Sequence, residues 1–310
     1  MDIRALEVLI ALSEELHFGR TADRLGMSQS TVSEHLRRLE RRIGHALFDR
    51  TSRRVTLTQT GEILVHRLRD PVRAIRMAMR EAERDGSEAK ESLRIGFLGG
   101  GFYELYRPLV ELYKEEAPLI RLEFVELNYD TQFTAILNGD VDIGFCRLPV
   151  GLPGLEAGPI VMSDPRVVCI SANHRLAGRT HIDAEELCGE TILRVPSLNT
   201  GVKWAEYHFP LMTPERKPLK PGPIIRTVRE GIAAVVADQG VFFLTKRAVQ
   251  YYATPRVTYV EVNLPPIQSA LVWRQGDNRL SINQLCRLLL TAAKENLQIP
   301  ISPMSSLNSM

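Results

Sequence analysis

Arginine is the residue type whose placement in this sequence promises chemistry. Nine arginines (20, 24, 37, 38, 41, 42, 50, 53 and 54) lie between positions 20 and 54 against four acids, Asp23, Glu34, Glu40 and Asp49. That stretch carries +5 in a chain of net charge +2, and the first lysine is Lys90. Guanidinium forks suit phosphate oxygens and guanine edges, although a solvated helical face has the same composition. The neighbours make the pattern more specific. Ser28, Gln29, Ser30, Thr31, Ser33 and Glu34 fall at the start of one helical segment, with Arg37 and Arg38 a turn further on, and Arg50, Arg53 and Arg54 flank a short turn. An amide can pair with adenine, hydroxyls with several bases and a carboxylate with cytosine, while the turn arginines would neutralise backbone phosphate.

A second set of polar residues lies far downstream. Gly99, Gly100, Gly101 and Phe102 follow an apolar run and open a helical one, where free backbone N–H groups would attract an anion. Asn128 and Thr131, then Ser197, Leu198, Asn199 and Thr200, occupy matching positions after other strand-like runs, and Thr227 precedes a later helix. With Arg147 these could hold a carboxylate; capping for Asn128, Ser197 and Asn199, or a surface ion pair for Arg147, explains the same residues without a ligand. His174, His181 and His208 have no metal-ligand spacing and read as surface residues.

The elements that must position these groups follow from periodicity. Leu6, Leu9, Leu12 and Leu16 mark a first helix, His17-Phe18-Gly19 breaks it, and a short helix from Arg20 to Leu25 stops at Gly26. Ser28 is a good N-cap for Gln29–Ile43, whose Val32, Leu36, Leu39 and Ile43 form a buried stripe. Two helices with a tight glycine turn make a helix-turn-helix, and the basic hairpin after Leu47-Phe48 makes a wing. From residue 58 to about 85, Val65, Leu68, Val72, Ile75, Met79 and Ala82 form a heptad seam suited to a dimer coiled coil, with a kink expected at Pro71. Beyond a linker, strand-like and helical runs alternate to a final helix at 281–297. This predicts an α/β region with a mostly parallel sheet, arranged as two lobes with crossovers.

Several function classes are excluded or weakened. No apolar stretch approaches the ~18 residues of a membrane span, and Glu7, Glu14 and Glu15 interrupt the N-terminal run, so neither a membrane span nor a signal peptide is expected and the cytoplasm is indicated. GFLGGG lacks both nucleotide-binding glycine patterns, and no nucleophile–base order stands out, so an enzyme acting on small acids is the weaker alternative. Cys146, Cys169, Cys188 and Cys286 show no metal spacing, and no cofactor is expected. They read as packing residues, with a Cys169–Cys188 redox switch as the alternative.

At this point the sequence resembles the LysR-type transcriptional regulators. Residues 6–61 resemble the family's DNA-binding domain throughout, most specifically in AxxLxxSQSxVSxHLxxLE from Ala22 and LFxRxxRxxxLTxxG from Leu47. LNGDVDIGF (137–145) and VREGIAAVVADQGVFFL (228–244) resemble family elements downstream. The resemblance implies an N-terminal all-α winged helix-turn-helix (1–58), a dimerising linker helix (59–86) and a hinge (87–91). It further implies a periplasmic-binding-protein-like effector domain (92–300) with lobe 1 at about 92–160 and 267–300 and lobe 2 at about 161–266, then a flexible tail (301–310). The implied partners are double-stranded operator DNA, a small-molecule effector, a second copy through the linker helix and a tetramer beyond it; RNA polymerase is a further partner the family admits. FCRLPVGLPGLE (145–156) is most similar to members that control breakdown of aromatic acids and sense muconate-like carboxylates. Relatives often carry a hydroxyl residue where this chain has its glycine triplet, and a basic or amide residue where it has Glu34.

Overall fold

The computed structural model describes residues 2–50, 54–85, 92–117, 120–197 and 201–296, and the chain divides into two units at residue 88. The expected hinge at 87–91 and tail at 301–310 lie outside the described residues. The first unit holds α1 (Ile3–Glu15), α2 (Phe18–Leu25), α3 (Gln29–Ile43), the strands β1 (Phe48–Arg50) and β2 (Val55–Leu57), and α4 (Gln59–Asp85). Leu16 ends α1 in a left-handed conformation, and the His17 imidazole accepts the Arg20 N–H at 3.2 Å. That side-chain cap starts α2 at Phe18, two residues earlier than its apolar pattern indicates. Ser28 caps α3 by accepting the Thr31 N–H at 3.1 Å. Val32, Leu36 and Leu39 then pack with Leu6, Leu9, Leu12, Leu47 and Phe48, each such burial stabilising by about 1.5–3 kcal/mol.

Helix α4 divides its seam. Val65 and Val72 are buried in the core of their own unit, with Leu64 and Leu68 packed against it, whereas Ile75 and Met79 are 47% and 53% exposed. The helix continues through Pro71, where the kink was expected. Arg69 donates to Glu14 at 2.7 Å and Arg76 to Glu7 at 2.6 Å. Two acids seven residues apart meet two arginines seven residues apart in reverse order, so α1 and α4 run antiparallel with a heptad in register.

The second unit has two lobes. Lobe 1 is a five-stranded sheet, ordered β4-β3-β5-β13-β6, of β3 (Ser92–Leu98), β4 (Arg121–Leu127), β5 (Ile143–Arg147), β6 (Leu155–Asp164) and β13 (Ile267–Arg274), with α5 (Tyr106–Glu116), α6 (Gln132–Leu137) and α9 (Leu280–Asn296). In lobe 2, β7 (Arg166–Ser171), β8 (His181–Ile182), β11 (Phe242–Thr245) and β12 (Val257–Val262) form one sheet. The pair β9 (Thr191–Arg194) and β10 (Lys220–Ile224) joins it through an Ile192–Val241 bridge, and α7 (Val202–His208) and α8 (Val228–Val236) complete the lobe.

The sheets are mixed, which corrects the mostly parallel expectation. β3 pairs parallel with β4 and β5, but β13 is antiparallel to both β5 and β6, and β7 is antiparallel to β11 and β12. The reason is the double crossing between lobes, which brings the chain back against its outgoing direction. β6 stays in the first sheet through Asp164, so the outward crossing lies at 164–166 and lobe 1 extends past 160. The LNGDVDIGF segment has a structural role. Asp142 is buried, accepts the Arg94 N–H at 2.8 Å and pairs with Arg279 at 3.0 Å, stapling β3 to the start of the last helix.

Candidate DNA interface and effector site

The start of α3 is an exposed polar surface. Ser28, Gln29 and Ser30 are exposed and Thr31 and Ser33 half-exposed. The Ser28 hydroxyl lies 2.7 Å from the hydroxyls of both Ser30 and Thr31, so these three are committed to the cap and to one another. Gln29 therefore carries the long amide at this end. Glu34 pairs with Arg38 at 2.9 Å one helical turn away, which offsets the repulsion a lone carboxylate would give phosphate but also ties up the Arg38 charge. Arg37 is exposed on the same helix. In the hairpin, Phe48 faces Leu57 and Arg50 faces Val55. Arg50 is held by Glu40 at 2.8 Å and lies over the Phe18 ring at 5.1 Å, so it buttresses the wing against α2 and α3. Arg54 is exposed, and Arg53 lies outside the described residues.

The downstream set disperses, and only part of it converges. Gly99 and Gly101 take positive φ, and a side chain on Gly99 would stand 2.8 Å from the Tyr252 hydroxyl and 3.0 Å from Val228, so glycine lets the lobes approach here. The N–H of Gly101 is already used by the Leu98 carbonyl at 3.0 Å, and a 3-10 turn at Tyr103–Leu105 follows the triplet before α5 begins. Phe102 is fully buried, stacked on Phe145 at 4.6 Å, and belongs to the lobe 1 core rather than to a binding surface. Asn128 is exposed, and Thr131 accepts its N–H at 3.0 Å in a local turn. Thr227 caps α8 through the Glu230 N–H at 3.1 Å. Ser197 is exposed beside a groove of about 450 Å³ on lobe 2, lined also by Arg194, Val202, Phe209 and Met212. Leu198, Asn199 and Thr200 lie outside the described residues.

Arg147 changes its standing most. It ends β5 only 7% exposed, which removes the surface ion-pair reading. The Tyr129 and Tyr103 phenols lie against it, and its Nη1 has no hydrogen-bond partner. Its carbonyl accepts the Trp204 indole N–H at 2.9 Å from α7. His208, read as a surface residue, is buried beside it: Nε2 meets the Leu148 carbonyl at 3.0 Å and the ring lies 4.3 Å from Trp204. Burial, aided by the Arg147 and Arg166 charges, holds the His208 pKa well below its usual value. Asp164 completes the cluster, pushed up to about 6 by burial against the opposing pull of Arg247 at 3.2 Å and of Arg147. Sequence reasoning missed Tyr103, Tyr129, Asp164 and His208; tyrosines beside the two polar loops, after Gly101 and Asn128, were the available signal.

Bonds across the cleft hold the lobes together. The Tyr129 N–H donates to the Arg226 carbonyl at 2.8 Å, Arg226 pairs with Asp130, Arg247 pairs with Glu104 at 2.8 Å, and the Tyr103 and Thr245 hydroxyls lie 3.3 Å apart. Among the described residues no group of acids, histidines and cysteines could hold a metal ion, and no helix is long and apolar enough to cross a membrane.

An exposed helix start beside a basic hairpin, and a separate two-lobed domain with a buried cation in its cleft, have matching relatives. Residues 3–62 match the bacterial regulatory helix-turn-helix protein, lysR family, and residues 86–294 match the LysR substrate binding domain. The chain belongs to the LysR family of transcriptional regulators. It is 34% identical over 195 residues to the HTH-type transcriptional regulator AlsR of Bacillus subtilis, covering 63% of this chain and 64% of that protein. It is also 34% identical over 203 residues to ShiR of Corynebacterium glutamicum, covering 65% and 68%. Full-length BenM shares the fold at a TM-score of 0.53 and 22% identity, covering 98% of this chain and 100% of that one. This LysR-family chain is accordingly a DNA-binding transcription regulator with an effector domain.

Proposed function

We propose that this regulator reads operator DNA with the start of α3 and the wing, and that a small organic carboxylate in the interlobe cleft modulates it. The observation that carries the ligand reading is Arg147: a cation only 7% exposed, at the end of a strand facing the other lobe, with a donor no protein atom meets. A buried guanidinium that keeps one donor without an acceptor is costly, so a site that holds one is suited to an anion. An aromatic or unsaturated body on that carboxylate is the reading that FCRLPVGLPGLE supports. Gly99, Gly100, Asn128, Thr131, Ser197 and Thr227 frame the approaches to the cleft in this reading. On DNA, Gln29, Ser33 and Arg37 face base edges and nearby phosphates, Ser28, Ser30 and Thr31 hold the helix start, and Arg54 contacts backbone.

Ile75 and Met79, exposed on α4 on either side of the Arg76 contact to α1, support pairing of two copies through this helix, with a tetramer as the larger assembly. The test is calorimetric titration of the full chain with benzoate, cis,cis-muconate and succinate, repeated on Arg147→Met. Wild type should bind at least one and the variant none. Equal binding by both proteins would remove Arg147 from the site.

A further inference from the structure

Resting on the carboxylate reading of the cleft, the hydrogen-bonding inventory around Arg147 goes one step further. Four buried side chains close to Arg147 or coupled to its charge each keep a polar atom without a protein partner: Arg147 Nη1, Tyr129 Oη, Asp164 Oδ2 and His208 Nδ1. Tyr129 is 1%, Asp164 3% and His208 1% exposed. Orphans of this kind are few in folded proteins, so their gathering at one place points to a common partner.

Their polarity is uneven. Arg147 can only donate. His208 turns Nε2 toward the Leu148 carbonyl, which makes that nitrogen the donor and leaves Nδ1 of the neutral ring an acceptor. Asp164 keeps Oδ1 on Arg247 at 3.2 Å and leaves Oδ2 as an acceptor. Strand pairing puts Asp164 on the same sheet face as Arg147: Arg147 and Met162 both pair with Ser269, and Asp164 follows Met162 by two residues. The Tyr129 hydroxyl can donate as well as accept, so a plain carboxylate would meet the donors of Arg147 and Tyr129 and still leave the buried acceptors of Asp164 and His208 unanswered.

We infer that the effector is a carboxylate that also carries a hydrogen-bond donor, a hydroxyl or an ammonium group, with its anion on Arg147 and its donor received by Asp164 and His208. A site with buried acceptors rejects an analogue lacking the donor far more strongly than an apolar pocket rejects a missing methylene.

The test pairs each acid with its hydroxylated counterpart on the full chain by calorimetry: benzoate with 3- and 4-hydroxybenzoate, and succinate with malate. In at least one pair the hydroxylated member should bind about tenfold tighter or more. In Asp164→Asn the Arg247 contact keeps the amide oxygen at Oδ1 and turns an NH₂ toward the cleft, so the ratio should fall toward one. Equal affinities within every wild-type pair, or an unchanged ratio in the variant, overturns the inference while leaving the carboxylate reading intact if Arg147→Met still abolishes binding. Failure of wild type to bind any of these acids overturns both. The wild-type comparison needs no variant, so it decides even if Asp164→Asn does not fold.

Discussion

Glu14 and Arg69 are 55 residues apart in the chain and 2.7 Å apart in space. The Glu14 side chain is only 3% exposed, and its second oxygen lies 2.7 Å from Arg24, so one buried carboxylate ties α1 to both α2 and α4. Replacing it leaves Arg69 without its carboxylate and Arg24 with Glu15 alone at 3.4 Å. Glu14→Gln should lower the stability of the winged unit by about 1–2 kcal/mol, discounted because Arg69 is largely exposed. Arg69→Met should cost less. Thermal unfolding of the full chain, followed for its first transition, checks the order; equal effects would mean the pairing is solvent-screened.

For DNA, Gln29→Ala should reduce discrimination between operator and random duplex by about 1–3 kcal/mol, whereas Arg37→Ala should weaken both and flatten the salt slope by about one. The Glu34–Arg38 pair adds a sharper expectation: Glu34→Gln frees Arg38, raises affinity for all sequences and steepens the slope. Fluorescence anisotropy across a salt series reads all three, and a Glu34→Gln protein with unchanged affinity would mean that this face of α3 stays off the phosphates.

The thiols give a separate test of the redox alternative. Burial raises the pKa of Cys146, Cys169 and Cys286, to about 12 for the last two, so they hold almost no thiolate at neutral pH. Cys188 is the exposed one. A thiol-specific dye should label one cysteine in the native protein and four after unfolding. Peroxide should leave Cys169 and Cys188 unlinked in peptide mapping, and recovery of that disulfide would restore the redox reading.

Asp164 sets a pH dependence whose sign is fixed. Its folded pKa, about 6, lies above the ordinary carboxyl value, so the native state holds a proton that the unfolded chain has already released. That contribution to stability is present below about pH 4 and lost as pH rises through 6. The difference in melting temperature between Asp164→Asn and wild type should therefore grow in favour of the variant from pH 4.5 to 7. A constant difference would place Asp164 with ordinary surface carboxylates.

The N-terminal unit was legible because its determinants are local: the apolar stripe of Gln29–Ile43, the Ser28 cap and the glycine stop at Gly26 lie within a few turns of one another. The cleft was not, since its chemistry depends on long closures. His208 looks like a surface histidine until α7 docks on Leu148, 60 residues earlier in the chain. β6 was hidden by Gly158-Pro159, a pair that disfavours an interior strand and is tolerated here because β6 lies at the edge of its sheet, where its pairing with β13 is irregular. Pro71 removes one helical N–H without ending α4, whose Val65 and Val72 are held in the core on either side of it. Arg147 was chosen for its charge, but burial, which no spacing rule reports, is what makes it informative.

The two ion pairs that lock α4 along α1 have a mechanical consequence. Because the pairs are a full heptad apart, the long helix cannot roll or slide along α1 without breaking both. A twist or shift of the far half of α4 must therefore either break these pairs or carry α1 with it.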